Sequence, residues 1–133
     1  MDSLINDIDI DTLINNCITH EYHMEIALVI YTLLKDKYKY IGENKWEYYN
    51  NNIWKIDKNN NELRNDINNI VCNKFLIKSI EWFNKYNIEI DSTLKYTYKY
   101  RYDTILDIVI NLKTKKYASN IIKESKQFFT LQK

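Results

Sequence analysis

Glycine and proline, the residues that shape most loops, are almost missing from this sequence. Proline is absent, and Gly42 is the single glycine among 133 residues. A P-loop needs several glycines for the turn that cradles phosphate, so a Walker A sequence is excluded and the chain is not an ATPase by itself. Alanine and arginine are also scarce, whereas Asn, Lys, Ile and Tyr are abundant. The scarce residues have GC-rich codons, which indicates an AT-rich genome, so neither the Asn runs nor the lysines alone indicate a function.

Cysteine and long apolar runs are also in short supply. Cys17 and Cys72 are too few for a disulfide framework and match no metal-binding spacing. The apolar runs fall short of the roughly 18 residues of a membrane-spanning helix, and the N-terminus is acidic where a signal peptide would be basic. We therefore expect a soluble, intracellular protein with free thiols and no membrane partner.

The rest of the composition is typical of one globular domain. A hydrophobic content of 45% and an aromatic content of 14% are too high for a disordered chain. A chain of 133 residues can bury a real core, and no linker or repeat divides it. We expect a single domain over residues 1–133, with an acidic N-terminal segment over residues 1–18.

The charges are balanced in number but not in position. The formal net charge is +1. Residues 1–34 contain six acids and no Lys or Arg, whereas residues 92–133 contain nine bases against three acids. This asymmetry is typical of a chain that presents a basic face to an anionic partner. The alternative is that the acidic and basic ends attract each other.

Two helices are predicted at the start of the chain. Asp11 is the expected cap of a short helix over residues 12–17, and Thr19 is the expected cap of a helix over residues 21–36. The second helix is apolar on most sides. Such a helix is central, with neighbours packed on several of its faces.

Three short strands are predicted after these helices. Period-two alternation and β-favouring residues place them near residues 38–41, 45–49 and 53–56. The turns fall at residues 42–44 and 50–52, where Asn tolerates the positive φ that a tight hairpin needs. The unit is a small antiparallel meander.

A long helix is predicted for the middle of the chain. It begins at Asn59, where Glu62 completes a capping box, and runs to about Lys85. The stretch 86–91 interrupts the pattern, and its last residue, Asp91, or the serine after it caps the next helix.

Residues 93–103 fit two templates. A tyrosine at every second position is a strand pattern, but apolar residues stepping by four and three form a helical seam through Leu94, Tyr98, Tyr102, Ile105, Val109 and Leu112. The helical template spans more residues, so we predict a helix over 93–113 and a last helix capped by Thr114. The expected fold class is α+β, mostly α-helical with a small antiparallel β-meander, and a winged-helix-like arrangement is one option that fits.

Neither of two clusters with metal-binding residue types is complete. Asp7, Asp9 and Asp11 would lie on one side of a strand and offer oxygen ligands to Mg²⁺, as in a nucleotidyltransferase or nuclease, but no further acid follows in a convincing strand. His20 and His23 lie one helical turn apart and lack two further zinc ligands. We therefore predict no catalytic residue, no metal site and no cofactor, with a solvated cap and a surface histidine pair as the simpler interpretations.

The C-terminal third contains the residues that suit nucleic acid best. Tyr96 and Tyr100 lie among three cations, Lys95, Lys99 and Arg101, and single strands favour such pairing of rings with cations. Phosphate contacts would come from the lysines that follow, which are Lys113, Lys115, Lys116, Lys123 and Lys126. The alternative is a solvated lysine face in a lysine-rich protein.

A tryptophan hairpin precedes the long helix. Trp46 and Trp54 lie in two strand-like runs separated by three asparagines. Both rings are able to stack on unpaired bases. Tryptophans of a small sheet more often form its core, which is the interpretation we favour.

The order of these elements resembles a known family. The runs HEYHMEIALVIYTLLKDKYKY, KWEYYNNNIWKID, ELRNDI and LKTKKYASNIIKESKQFF resemble the domain between primase and superfamily 3 helicase in poxvirus-type primase–helicases of large nucleocytoplasmic DNA viruses. Trp54, Asp57, Leu63 and Arg64 occupy matching places, with Asn where the family has Gly.

The resemblance implies a non-catalytic, helicase-associated domain, either excised or free-standing. The primase acids and the helicase P-loop of such proteins lie outside this stretch, so no catalytic residue transfers. The implied partners are single- or double-stranded DNA and the helicase and primase modules or further copies of the chain, in the host cytoplasm or at a viral replication site. The alternative function is a protein-interaction or oligomerisation module without DNA binding.

Overall fold

The computed structural model describes residues 9–20 and 23–130 of the chain. Its helices are α1 (Ile10–His20), α2 (His23–Leu34), α3 (Asn61–Asp66), α4 (Cys72–Ile88), α5 (Ser92–Leu112) and α6 (Lys115–Thr130), and its strands are β1 (Tyr38–Gly42), β2 (Lys45–Asn50) and β3 (Ile53–Ile56). A 3₁₀ turn (Lys58–Asn60) precedes α3, and a π-helical turn (Ile67–Val71) joins α3 to α4. The predicted fold class, mostly helical with a small antiparallel sheet, is confirmed.

The sheet is an antiparallel meander in the order β1-β2-β3. Tyr40 pairs with Trp46 and Tyr49 with Trp54, so the predicted strands and turns are all confirmed. In the second turn, Asn51 and Asn52 have φ values of 51° and 68°, the left-handed geometry that asparagine tolerates. The winged-helix-like arrangement stays a prediction.

Helix α2 lies at the centre of the core, as its apolar composition predicts. Its buried residues face α1 on one side and α6 on another, and they are Ile26, Ala27, Val29, Ile30, Tyr31 and Leu34. The sheet closes the core through Trp46, which is 2% exposed and meets Phe129 of α6 edge-on at 5.1 Å between ring centroids. The core interpretation of Trp46 is therefore confirmed.

Trp54 lies outside this core. It is half-buried, packs against Tyr49 at 5.2 Å between centroids and has the Lys39 ammonium 4.3 Å from its ring centre. The core interpretation was wrong for this ring because Trp54 pairs with Tyr49. Tyr49 is three residues from Trp46 along β2, so it and Trp54 lie on the opposite face of the sheet.

The cap of α1 differs from the prediction. The Asp9 carboxylate accepts a hydrogen bond of 2.9 Å from the backbone N–H of Thr12, so Asp9 caps the helix and Asp11 lies in its first turn. Thr19 belongs to the last turn of α1, where its hydroxyl donates to the carbonyl of Asn15. The predicted start of the next helix at residue 21 lies outside the described residues.

The cap of the long helix also differs. The Asp57 carboxylate, which is 5% exposed, accepts the backbone N–H groups of Glu62 and Leu63 at 2.9 and 3.0 Å. Asn59 and Asn60 lie between the cap and the helix with φ values of 58°. These left-handed residues turn the chain back over Asp57, so the prediction of a capping box at Asn59 was wrong.

The last two helices follow the prediction closely. Asp91 caps α5 by accepting the N–H of Leu94 at 3.0 Å, and α5 continues as a helix through the tyrosine-rich stretch. Helix α4 ends at Ile88, three residues beyond the predicted end. Thr114 stands at the predicted cap position of α6, where its carbonyl accepts the N–H of Ala118 at 3.0 Å, while its hydroxyl donates to the carbonyl of Asn111 at 2.7 Å. Within the described ranges, no helix is both long and apolar enough to cross a membrane.

Candidate nucleic-acid interface

Three cations meet where α5 turns into α6. Helix α5 ends at Leu112, and only Lys113 and Thr114 separate it from α6, so Lys113 and Lys115 stand on either side of a tight turn. Arg64 of α3 faces the same turn, since it lines one cleft together with both lysines. We call Arg64, Lys113 and Lys115 the corner cluster.

Two adjoining clefts open beside the corner cluster and share Arg64 and Lys115. The smaller, of about 140 Å³, is bounded by the α5–α6 turn and Asn68. The larger, of about 460 Å³, is lined by amides as well as charges, and its other residues are Asn44, Asp57, Asn59, Asn60 and Asn61. Phosphate oxygens accept hydrogen bonds from guanidinium, ammonium and amide N–H groups.

The corner cluster is mostly uncompensated. Lys113 and Lys115 are exposed, and neither forms an ion pair with another residue that the structure describes. Arg64 is half-buried and donates from Nη2 to the Asn61 side chain at 2.8 Å. Asp57 adds one negative charge to the larger cleft, but both its oxygens are held by the start of α3.

Helix α6 extends this basic surface. Lys116 and Lys123 are exposed and seven residues apart, which places them on one side of the helix. Lys126 is half-buried; its ammonium donates to Asn44 Oδ1 at 2.6 Å and lies 5.1 Å from the centre of the Tyr40 ring. Since Asn44 also lines the larger cleft, Lys126 continues the surface toward the sheet.

The other predicted residues lie on a separate part of the molecule, which we call the arm. The arm consists of residues 80–103, the distal halves of α4 and α5, and none of these residues is buried. Rings join its two helices. Trp82 stacks on Tyr98 at 5.7 Å between centroids, and Tyr102 meets Phe83 and Tyr86 edge-on at 5.3 and 5.7 Å.

Three predicted cations of the arm are engaged within the chain. Lys95 donates to the carbonyl of Tyr86 at 2.8 Å and covers its ring at 4.0 Å. The Arg101 guanidinium lies 4.6 Å from the centre of the Trp82 ring. Lys99 pairs with Asp103 at 2.8 Å, and this contact raises the pKa of the Lys99 ammonium.

The two predicted rings of the arm remain open. Tyr96 is 74% exposed and Tyr100 is 51% exposed. Tyr100 and Lys113 are thirteen residues apart on α5 and its cap, about 20 Å along the helix axis. The structure therefore divides the predicted site residues between two surfaces. The lysines from Lys113 onward lie at the corner and along α6, whereas the two tyrosines and the three cations beside them lie on the arm.

Sequence reasoning missed several residues of the corner. Arg64 and the asparagines at positions 44 and 59–61 were not among the predicted site residues, although Arg64 was one of the residues that carried the family resemblance. The left-handed Asn59 and Asn60 place this loop in the cleft that Lys115 also lines, which the sequence does not reveal. The two asparagines in succession are the one signal that indicates such a turn.

The described residues offer little for metal or nucleophilic chemistry. No three His, Cys, Asp or Glu side chains among them are placed to hold a metal ion. Asp7 of the acidic run lies outside the described residues. His23 packs edge-on against Tyr117 at 5.2 Å between centroids. Burial raises the pKa of the Cys17 thiol to about 12. Burial also raises the pKa of the Cys72 thiol, and the positive charge of Lys113 acts in the opposite direction.

No protein-family model, no curated protein and no solved structure matches this chain. The resemblance to the primase–helicase domain therefore stays a prediction.

Proposed function

We propose that this chain is a non-catalytic DNA-binding domain that works beside the motor of a primase–helicase. The observation that carries the proposal is the corner cluster, where exposed cations of α5 and α6 join Arg64 around two amide-lined clefts. Phosphate contacts of this kind supply most of the affinity of sequence-independent DNA binding. The helicase-associated role rests on the sequence resemblance.

The start of α6 supports an anionic partner. Its first turn contains Lys115 and Lys116 and no acid. The N-terminal end of a helix dipole is positive, so two cations there are unfavourable until an anion neutralises them. A DNA phosphate placed between Lys113 and Lys115 would meet both ammonium groups and the positive end of the helix.

The acidic N-terminal part of the chain does not neutralise this surface through Asp9 or Asp11. Asp9 caps α1, and Asp11 lies 3.6 Å from Lys78 of α4. These two carboxylates are thus committed away from the C-terminal lysines.

Fluorescence anisotropy with labelled single- and double-stranded DNA across a salt series tests the proposal. We expect the wild-type affinity to fall steeply with salt, and the variant Lys113→Glu/Lys115→Glu to bind more weakly with a slope reduced by about one to two units. The matched control, Lys35→Glu/Lys55→Glu, changes the net charge equally at positions outside both clefts and should keep the wild-type slope.

Two outcomes would overturn the corner cluster as the DNA site. One is absence of binding at low salt, and the other is an equal loss in the variant and in its control. Tyr96→Ala/Tyr100→Ala separates the contribution of the arm, because lost ring stacking weakens single-strand binding while leaving the phosphate-dependent slope unchanged.

A second candidate function is a protein-interaction module. The arm favours it, because large apolar side chains there face solvent, among them Ile88 at 82% and Ile90 at 95% exposed. Binding through such side chains depends weakly on salt, whereas binding through the corner cluster depends on it strongly. The salt series therefore distinguishes the two functions.

A further inference from the structure

Helix α4 has an apolar stripe on the side that faces solvent. Ile77 and Ile80 are 47% and 56% exposed, although α4 buries Cys72 and Phe75 on its other side. Isoleucine is usually buried, and two of them at a spacing of three on a solvated helix face indicate a missing neighbour.

Asparagines extend the stripe in both directions. Asn73 and Asn84 are exposed and complete a spacing of four, three and four with Ile77 and Ile80. This is the spacing of the core positions of a coiled coil, in which side chains every 3.5 residues face a partner helix. The stripe is symmetric, with two isoleucines at its centre and one asparagine at each end.

The charged residues beside the stripe would pair with those of a second α4 helix that runs in the opposite direction. Lys74 follows Asn73, and Glu81 follows Ile80, so each occupies the same edge of the stripe. When two such helices run antiparallel, the residues of this edge face each other. Two Lys74–Glu81 pairs then form across the interface, each joining the lysine of one copy to the glutamate of the other. Opposite charges facing each other across an interface fix both its partner and its register.

We propose that α4 pairs with α4 of a second copy of this chain in an antiparallel, two-fold symmetric dimer. Ile77 packs against the partner's Ile80, and the reverse contact repeats it. Asn73 meets the partner's Asn84, and each amide both donates and accepts a hydrogen bond. A buried asparagine pair of this kind sets the register of a helix pair. An isologous contact of this type uses one patch on both subunits.

The charge flank distinguishes this dimer from other arrangements. In a parallel pair, residues of one edge do not meet their own kind, so Lys74 and Glu81 would lie apart. Glu81 Oε1 also lies 3.5 Å from Lys78 Nζ within its own helix, but this ammonium is shared with Asp11. The Glu81 side chain is 54% exposed, so the partner's Lys74 can reach it.

Sedimentation velocity of the full chain, without DNA, tests the proposal from about 5 to about 500 µM, because the interface is small. We expect the apparent mass to rise from 16.2 kDa toward twice that value with concentration. Ile80→Asp should weaken the dimer by about tenfold or more. The matched control Ile90→Asp, an equally drastic change at an exposed isoleucine off the stripe, should dimerise normally.

A charge exchange tests the antiparallel geometry directly. Lys74→Glu places two like-charged pairs in the dimer and should weaken it, while gaining a pair with Lys78 one turn away, so the monomer stays folded. Lys74→Glu/Glu81→Lys restores opposite charges in both pairs and should restore dimerisation. A wild-type chain that stays monomeric throughout, a dimer unaffected by Ile80→Asp, or a double variant no better than Lys74→Glu would each overturn the proposal.

Discussion

The body of the molecule and its arm join helices by different means. In the body, mostly aliphatic side chains from α1, α2, α5 and α6 are fully buried together, with a few rings such as Tyr31 and Phe129 among them. In the arm, none of the residues is buried, and the two helices meet through Trp82, Tyr98, Tyr102 and the rings beside them.

This difference explains why the arm is aromatic. A large ring covers more of a neighbouring helix than an aliphatic side chain, and its face accepts a cation. Lys95 and Arg101 use this property by lying over Tyr86 and Trp82. The arm thus replaces burial with stacking and cation–π contacts, each of which stabilises less than full burial does. We infer that the arm opens locally before the body unfolds.

Tryptophan substitution gives the largest expected contrast between the two regions. Trp46→Ala should lower the free energy of unfolding by about 3–5 kcal/mol, because the ring fills the space between the sheet and α6. Trp82→Ala should lower it much less and instead speed amide exchange in the arm. Urea unfolding followed by circular dichroism, with hydrogen exchange on both variants, measures the two effects.

These measurements decide whether the body and the arm unfold separately. Trp54→Ala, at a half-buried ring on the outer face of the same sheet, is the control for loss of an indole, and it should cost far less than Trp46→Ala. Equal losses of global stability in Trp46→Ala and Trp82→Ala would mean that body and arm unfold as one unit.

Much of the fold, in the body and in the arm, was predictable from local patterns. The three strands, the central helix, the Asp91 cap and the helical choice for residues 93–103 follow from spacing and from the turn chemistry of asparagine. The caps of α1 and α3 were not predicted. Asp57 lies five residues before the first N–H that it accepts, and only the left-handed pair Asn59 and Asn60 brings it back.

The exposed stripe of α4 and the cation–ring contacts of the arm were less predictable than the fold. Helical spacing groups Ile77 and Ile80 with the core residues of the long helix, yet they face solvent. The helix has two apolar stripes, and the π-helical turn shifts the phase between α3 and α4. A pattern shows that a helix has apolar faces, but only the packing of its neighbours decides which face is covered. Similarly, spacing cannot show that Lys95 and Arg101 lie over rings.

Exclusion of water from the body has a second, smaller effect, which is a dependence of stability on pH. Burial holds the pKa of the Cys17 thiol at about 12 in the folded body, against 9.0 for an ordinary cysteine. Below pH 9.0 both folded and unfolded chains keep the proton. Above it the unfolded chain loses the proton first, so stability falls as the pH rises toward 12.

The expected size follows from the difference between the two pKa values. Between pH 9 and about pH 10.5, retention of the proton by Cys17 should lower the free energy of unfolding by about 1.5 kcal/mol. Urea unfolding of the wild type and of Cys17→Ala at both pH values measures this cost. Tyr38, whose pKa is also raised by burial and by its bond to Asp66, contributes to both proteins alike. The same alkaline loss in both would show that Cys17 is not shielded from water.

The smallest effect is expected at the tip of the arm and sharpens the contrast most. Asp91 accepts the N–H of Leu94 at 3.0 Å and its carbonyl accepts the N–H of Lys95 at 2.9 Å, so it holds the first turn of α5. Asp91→Ala removes the side-chain cap, which is worth about 1 kcal/mol. Because no residue of the arm is buried, we expect this loss to appear as faster amide exchange within residues 80–103, with little change in the body.

Ser92→Ala, beside the cap, is the control, and Asp91→Asn should recover most of the protection, since an amide oxygen also accepts from Leu94. If the amides of α2 accelerate as much as those of the arm, the arm is not a separate unit but unfolds together with the body.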